Sequence, residues 1–310
     1  MYEAFYQLKD KPFSLLPDPA YLYLGEDHGL AIAMLEYGLL ENHGYVVLTG
    51  PIGSGKTTLL RHLLDTLDKD ATVGFVANTH SGFGSLLEQM LAAFQIDDVE
   101  SSEPAVQHQR FVDYLLSNYA AGKHTVLIID EAQNVPASEL EQLRLISNIN
   151  SEKDLLLNVI LVGQPELQRT IAEPGMVQFA QRISVFHELK PLNREEVRHY
   201  IAKRLKIAGA TEFLFTAGAM DAVMRGSEGI PRLINRICES ALVYGYAASS
   251  EKISTAIVNE VISDQRRAGL LLHDERVVGL DKTAVAGPWF AQEPDSEAAS
   301  QALAQAVFGD

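Results

Sequence analysis

Residues 50–57 read GPIGSGKT, the spacing G-x-x-x-x-G-K-[ST] with which a backbone loop wraps an anion. Gly50, Gly53 and Gly55 let the chain turn tightly with N–H groups pointing inward. Pro51, Ile52, Ser54 and Thr58 complete the loop that would line a nucleotide. Lys56 is spaced to reach the β- and γ-phosphates of ATP, and the Thr57 hydroxyl to ligate Mg²⁺. The second chemical stretch is TVLIIDEAQ, residues 125–133. Its four consecutive apolar residues predict a strand buried on both faces, as in a parallel sheet. Asp130 and Glu131 follow where such sheets bind ligands. Asp130 would hold Mg²⁺ through its water shell, and Glu131 would orient a water for attack on the γ-phosphate. Gln164, after a third apolar run, stands either as a γ-phosphate sensor or as a plain turn amide.

The elements around these residues fit an α/β reading. Tyr45 to Thr49 form an apolar, β-branched run before the loop, and leucines at helical spacing follow it. Further strands are expected at 72–76, at 155–162 and after Arg182, with helices between them. From residue 191 the pattern becomes helical only. Asn193 is a helix cap with Glu195 and Glu196 in the first turn, and Gly209 closes that helix. The expected divisions are an N-terminal segment (1–44), a phosphate-loop core (45–190), a helical lid (191–267) and an acidic, flexible tail (268–310). In the N-terminal segment a helix over 27–40 packs on the core. The stretch SLLPDPAYLYLG before it either packs likewise or closes over the adenine. Trp289 and Phe290 form an apolar island in the tail, read as a body contact or a docking motif.

The chain has 310 residues, 47% of them apolar, and a net charge of −16 from 25 Lys/Arg against 41 Asp/Glu. That acidity argues against a nucleic-acid partner, because phosphate contacts need Lys and Arg. The single cysteine, Cys238, reads as a small buried apolar residue. No run approaches the ~20 apolar residues of a membrane span, and the N-terminus lacks a signal-peptide layout. A cytoplasmic protein without direct membrane insertion is expected.

GPIGSGKT, LIIDEAQ, LVGQPEL, QRISVFHELKPL and GIPRLINRICESAL, in this order, resemble the AAA+ ATPases of the general secretion pathway protein A family. The segment AFYQLKDKPFSLLPDPAYLYLGEDHGLAIAMLEYGL is similar to their N-terminus. The style is that of single-domain relatives linked to pilus, secretion or exosortase and exopolysaccharide systems. The resemblance implies a P-loop AAA+ core with a five-stranded parallel sheet in the order 5-1-4-3-2, flanked by helices, and an α-helical lid. It implies a sensor role for Gln164 and an arginine finger at Arg182, reaching the γ-phosphate of a neighbouring subunit. It also implies a phosphate-contacting lid arginine at Arg232, with Arg236 the rival on that helix face. Asn78 resembles the residue that restrains the Walker B glutamate. Partners implied are further copies of the chain and a protein of an envelope system, through which it would sit peripherally at the inner membrane. Full-length members carry a transmembrane helix and a peptidoglycan-binding domain after the ATPase. Here a short tail follows the lid, so direct cell-wall binding is not expected. The alternative is a transposition or helicase-loader ATPase acting on nucleic acid, and a third reading is a nucleotide-sensing scaffold.

Overall fold

The computed structural model describes residues 1–16, 18–40, 44–66, 71–77, 84–96, 103–147 and 155–271. They form two units: residues 24–190, and residues 1–23 together with the chain from 191 onward.

The first unit is built on one parallel sheet of β1 (Tyr45–Thr49), β2 (Ala71–Val76), β3 (His124–Ile129), β4 (Asn158–Gly163) and β5 (Ile183–Glu188). The strand order is β2-β3-β4-β1-β5, the expected order read from the other edge. β1 and β4 are buried along their whole length. Side chains alternate across a strand, so both faces of these strands must be apolar. Val46, Leu48, Val126, Ile128, Ile160 and Val162 meet Leu35, Leu59 and Leu63 on one face. Tyr45, Val47, Leu127, Ile129, Val159 and Leu161 meet Met90, Phe111 and Leu143 on the other. Each such side chain stabilises by roughly 1.5–3 kcal/mol against exposure. β4 begins at Asn158 rather than at 155 because pairing with β3 starts at Val126↔Asn158.

The second unit is a bundle of helices Arg194–Ile207, Ala217–Ser227, Pro231–Ala247 and Thr255–Arg267. Asn193 caps the first through the backbone N–H groups of Glu195 and Glu196, and the Glu196 carboxylate accepts from the Asn193 N–H in return. Cys238 is fully buried in this bundle, and burial pushes its thiol well above the ordinary value.

The N-terminal segment, expected as one piece, is divided at Tyr23/Leu24. Helix Glu26–Leu40 packs on the sheet through Ala31, Ile32 and Leu35. Residues before it belong to the helical unit, where Tyr2, Tyr6, Leu8, Phe13 and Tyr21 complete the core. Tyr2 donates to Glu239 at 2.8 Å, Tyr6 to the Ser250 carbonyl at 3.0 Å, and the Lys9 N–H to the Ala208 carbonyl at 2.8 Å. Within the helical unit Tyr21 lies under Arg204, and Tyr23 packs edge-on against Tyr200. Trp289 and Phe290, with the rest of 272–310, lie outside the described residues.

Candidate functional site: a phosphate loop facing a strand-end carboxylate pair

The loop after β1 is held at its base by a Gly50 N–H bond to the Gly163 carbonyl (3.2 Å), beyond the end of β4. A side chain at Gly50 would meet the Leu189 carbonyl at 3.0 Å, so it would push the chain after β5 outward by a few tenths of an ångström. Gly55 has φ +104, a conformation L side chains rarely adopt, directly before helix Lys56–Thr66. The free N–H groups of the first helical turn therefore point back into the loop.

Lys56 is 7% exposed, and its ammonium donates to the Gly50 carbonyl at 2.8 Å and the Pro51 carbonyl at 3.0 Å. Burial holds this ammonium below its ordinary pKa, while Glu131, Asp130 and Glu166 pull it upward. The loop closes on its own lysine through neutral acceptors, weaker partners than a phosphate. The Thr57 hydroxyl donates to Asp130 Oδ2 at 3.0 Å, across 73 residues of sequence. Asp130 is buried at the end of β3; its N–H donates to the Val76 carbonyl, and its Oδ1 accepts from the Glu131 N–H at 2.9 Å. Two hard oxygens, one hydroxyl and one carboxylate, thus face each other beside the loop, the donor type that suits Mg²⁺.

Glu131 departs from the strand with φ +53, ψ +36, a left-handed geometry that costs a non-glycine residue of order 1 kcal/mol. Its Oε2 accepts from Gln133 Nε2 at 2.7 Å and Gln164 Nε2 at 3.2 Å. Gln164 therefore sits at the end of β4 in contact with Glu131, not as an isolated turn amide.

Arg182 lies apart from the loop of its own chain. It precedes Ile183, which pairs with Tyr45 at the amino end of β1, whereas the loop leaves the other end. The intervening strand length is about 15 Å. The side chain is half-buried, and its charge opposes the upward push that burial gives the Tyr45 phenol. Arg232 is exposed on helix Pro231–Ala247 of the other unit. Its rival Arg236 donates to the Leu270 carbonyl at 2.6 Å. Asn78 lies outside the described residues.

Three residues escaped the sequence reading. His28 is 4% exposed on helix Glu26–Leu40, and its Nε2–H donates to the Ser54 carbonyl of the loop at 3.0 Å. Its neighbour Asp27 accepts from the Lys190 N–H at 2.8 Å and contacts His187 at 3.4 Å. Gln133 is the third. None lies in the spacing of a phosphate-loop motif; only a polar pair opening an otherwise apolar helix marked Asp27 and His28.

A glycine loop running into a helix, a lysine in the loop, and a Thr–carboxylate contact at the carboxyl edge of a 2-3-4-1-5 parallel sheet define an AAA-class P-loop ATPase. Residues 40–171 match the AAA domain family, the same class. It is a relative of general secretion pathway protein A of Aeromonas hydrophila, 42% identical over 253 residues, which are 82% of this chain and 46% of that protein. The chain thus spans about half the length of that curated relative. Solved structures show the same fold at low identity. The Aeropyrum pernix ORC2 protein, in ADPNP–ADP complexes, has a TM-score of 0.61 at 17% identity, over 83% of this chain and 72% of that one. Cdc6p from Pyrobaculum aerophilum has a TM-score of 0.61 at 15% identity, over 86% and 75%.

Proposed function

We propose that the chain binds ATP at residues 50–57 and hydrolyses it to switch conformation during assembly or operation of a bacterial envelope system, secretion above all. The observation that carries this is the Thr57–Asp130 contact beside the Lys56 loop, with Glu131 next in the chain. Lys56 would exchange its two carbonyl partners for the β- and γ-phosphate oxygens. The loop N–H groups would hold the same oxygens, and Gln164 would meet the γ-phosphate from the end of β4. Thr57 and Asp130 would hold Mg²⁺, which neutralises charge on the phosphates. Glu131 would accept a hydrogen bond from the attacking water and orient it in line. The nucleotides held by the Aeropyrum ORC2 structure fit this reading by fold alone. The step served is taken from the likeness to the secretion protein.

Arg182, at the opposite end of β5 from its own loop, would serve a neighbouring copy, and Arg232 would contact the phosphates from the helical unit. Among the described residues no helix is long and apolar enough to cross a membrane; attachment at the inner membrane would run through a protein partner. The test is ATP turnover per subunit against protein concentration, with Arg182→Ala beside the wild type. Turnover that rises with concentration, and a flat variant down by about 10³-fold, is expected of a shared site. Low, constant turnover indifferent to Arg182 would reject the shared site.

A further inference from the structure

Gln133 sits in the short turn Ala132–Asn134 directly after the carboxylate pair. Its side chain makes two bonds at once. Nε2 donates to Glu131 Oε2 at 2.7 Å, and Oε1 accepts from the backbone N–H of Gln164 at 2.9 Å. The two contacts agree on one orientation of the amide: a backbone N–H must face the oxygen, so the nitrogen faces the carboxylate. Gln164 adds a direct bond, its own side-chain amide reaching the same Oε2 at 3.2 Å. The three residues form a closed ring of hydrogen bonds, spanning the end of β3 and the end of β4. Gln133 also packs on the β4 backbone, since a side chain at Gly163 would meet its Oε1 at 3.0 Å.

We infer that Gln133 is a positioning residue that orients Glu131 for water attack and couples that orientation to the end of β4, where Gln164 meets the γ-phosphate. The inference rests on the ATPase reading above. Glu131 leaves the strand in a left-handed geometry, and the Gln133 and Gln164 amides fix where its carboxylate points. The Gln164 side-chain amide carries two N–H donors; one meets Oε2 of Glu131, and a γ-phosphate oxygen could draw the amide toward itself. When the phosphate takes that amide, Gln133 still holds Oε2, and its grip on the Gln164 N–H ties the carboxylate to the sensor's backbone. An amide suits this position because it donates and accepts from adjacent atoms; a carboxylate would repel Glu131, and a thioether would make neither bond.

The test is Gln133→Met, close in volume and lacking both bonds. Single-turnover hydrolysis and MgATP affinity are measured on the full chain, with Glu131→Gln alongside. The expected result is a fall in the hydrolysis rate of about ten- to a hundredfold, with Kd changed by less than about twofold. An unchanged rate, or a rate and Kd that move together, would overturn the positioning role. A second readout needs no turnover. In protein labelled with ¹⁵N at glutamine, the Gln164 backbone and side-chain amide signals should move in Gln133→Met, and the Gln133 side-chain signal should move in Glu131→Gln. Signals that stay in place would refute the bonded ring. The two readings fail separately: wild-type hydrolysis by Glu131→Gln rejects Glu131 as the water-orienting residue. An inert Glu131→Gln beside an unaffected Gln133→Met rejects only the coupling.

Discussion

Lys56 in the sheet unit and Arg204 in the helical unit are each 7% exposed, so both are cations taken out of water. Their surroundings differ in kind. The Arg204 guanidinium donates to the Pro12 carbonyl and the Tyr200 hydroxyl, and lies 4.7 Å from the Tyr21 ring and 5.4 Å from the Tyr200 ring. Tyr200 in turn donates to Asn235. Tyr200 lies one turn back on the same helix, whereas Pro12 and Tyr21 come from the N-terminal segment, which these contacts tie into the bundle. Among the described residues, the Lys56 ammonium donates to two carbonyls of the loop that carries it. A buried cation with dispersed partners is part of the fold. A buried cation whose partners are its own loop is a charge kept available, at a desolvation cost that an anion can offset.

The comparison breaks most sharply in activity. Lys56→Ala should lower ATP turnover about a thousandfold or more, because it removes the charge that meets the phosphates, while the melting temperature holds or rises. A drop in stability matching that of an Arg204 variant would show Lys56 to be structural after all. The next effect is on stability. Arg204→Ala should cost about 2–4 kcal/mol, since it leaves the Tyr200 network and the Pro12 carbonyl short of a donor and unstacks two rings. Arg204→Lys should recover little, because an ammonium cannot fork between Pro12 and Tyr200 while lying flat on tyrosine. Hydrogen exchange would locate the loss. Amides of helices Arg194–Ile207 and Pro231–Ala247 should exchange faster, and those of β1 and β4 should not.

The same contrast explains what could be read from the sequence. The phosphate loop and the Asp130–Glu131 pair are local: their chemistry lies in consecutive residues, and the apolar runs before them reveal buried strands. The sheet order came with the family likeness carried by those motifs. The fate of residues 1–23 was not legible. Tyr2, Phe13 and Tyr21 are apolar wherever they pack, and their partners Glu239, Phe215 and Arg204 lie about two hundred residues on. Proximity to the sheet's first helix suggested a single segment, whereas the bundle's need for aromatic cover divides it. Gln133 stood in plain view inside DEAQ, but its meaning depends on Gln164, thirty-one residues later. The same holds for His28, whose partner is a backbone carbonyl that no motif records.

The smallest expected effect tests the desolvation cost directly. Lys56→Met keeps an unbranched side chain one atom shorter and removes its charge. Because burial depresses the Lys56 ammonium below its usual value, the unfolded chain binds that proton more tightly than the folded one. The protonated lysine therefore opposes folding at neutral pH, and wild-type stability rises as pH climbs through the depressed pKa toward that of a free lysine. Lys56→Met should accordingly be more stable at pH 7 without nucleotide, by about 1 kcal/mol or roughly 2–4 °C in Tm. The advantage should shrink in urea titrations taken at increasing pH, as the wild type loses the proton. With ATP present the order should reverse, because ligand binding stabilises only the chain that still carries the charge. A variant less stable at pH 7, with a deficit independent of pH, would mean that the two carbonyl bonds outweigh desolvation. Lys56 would then belong with Arg204.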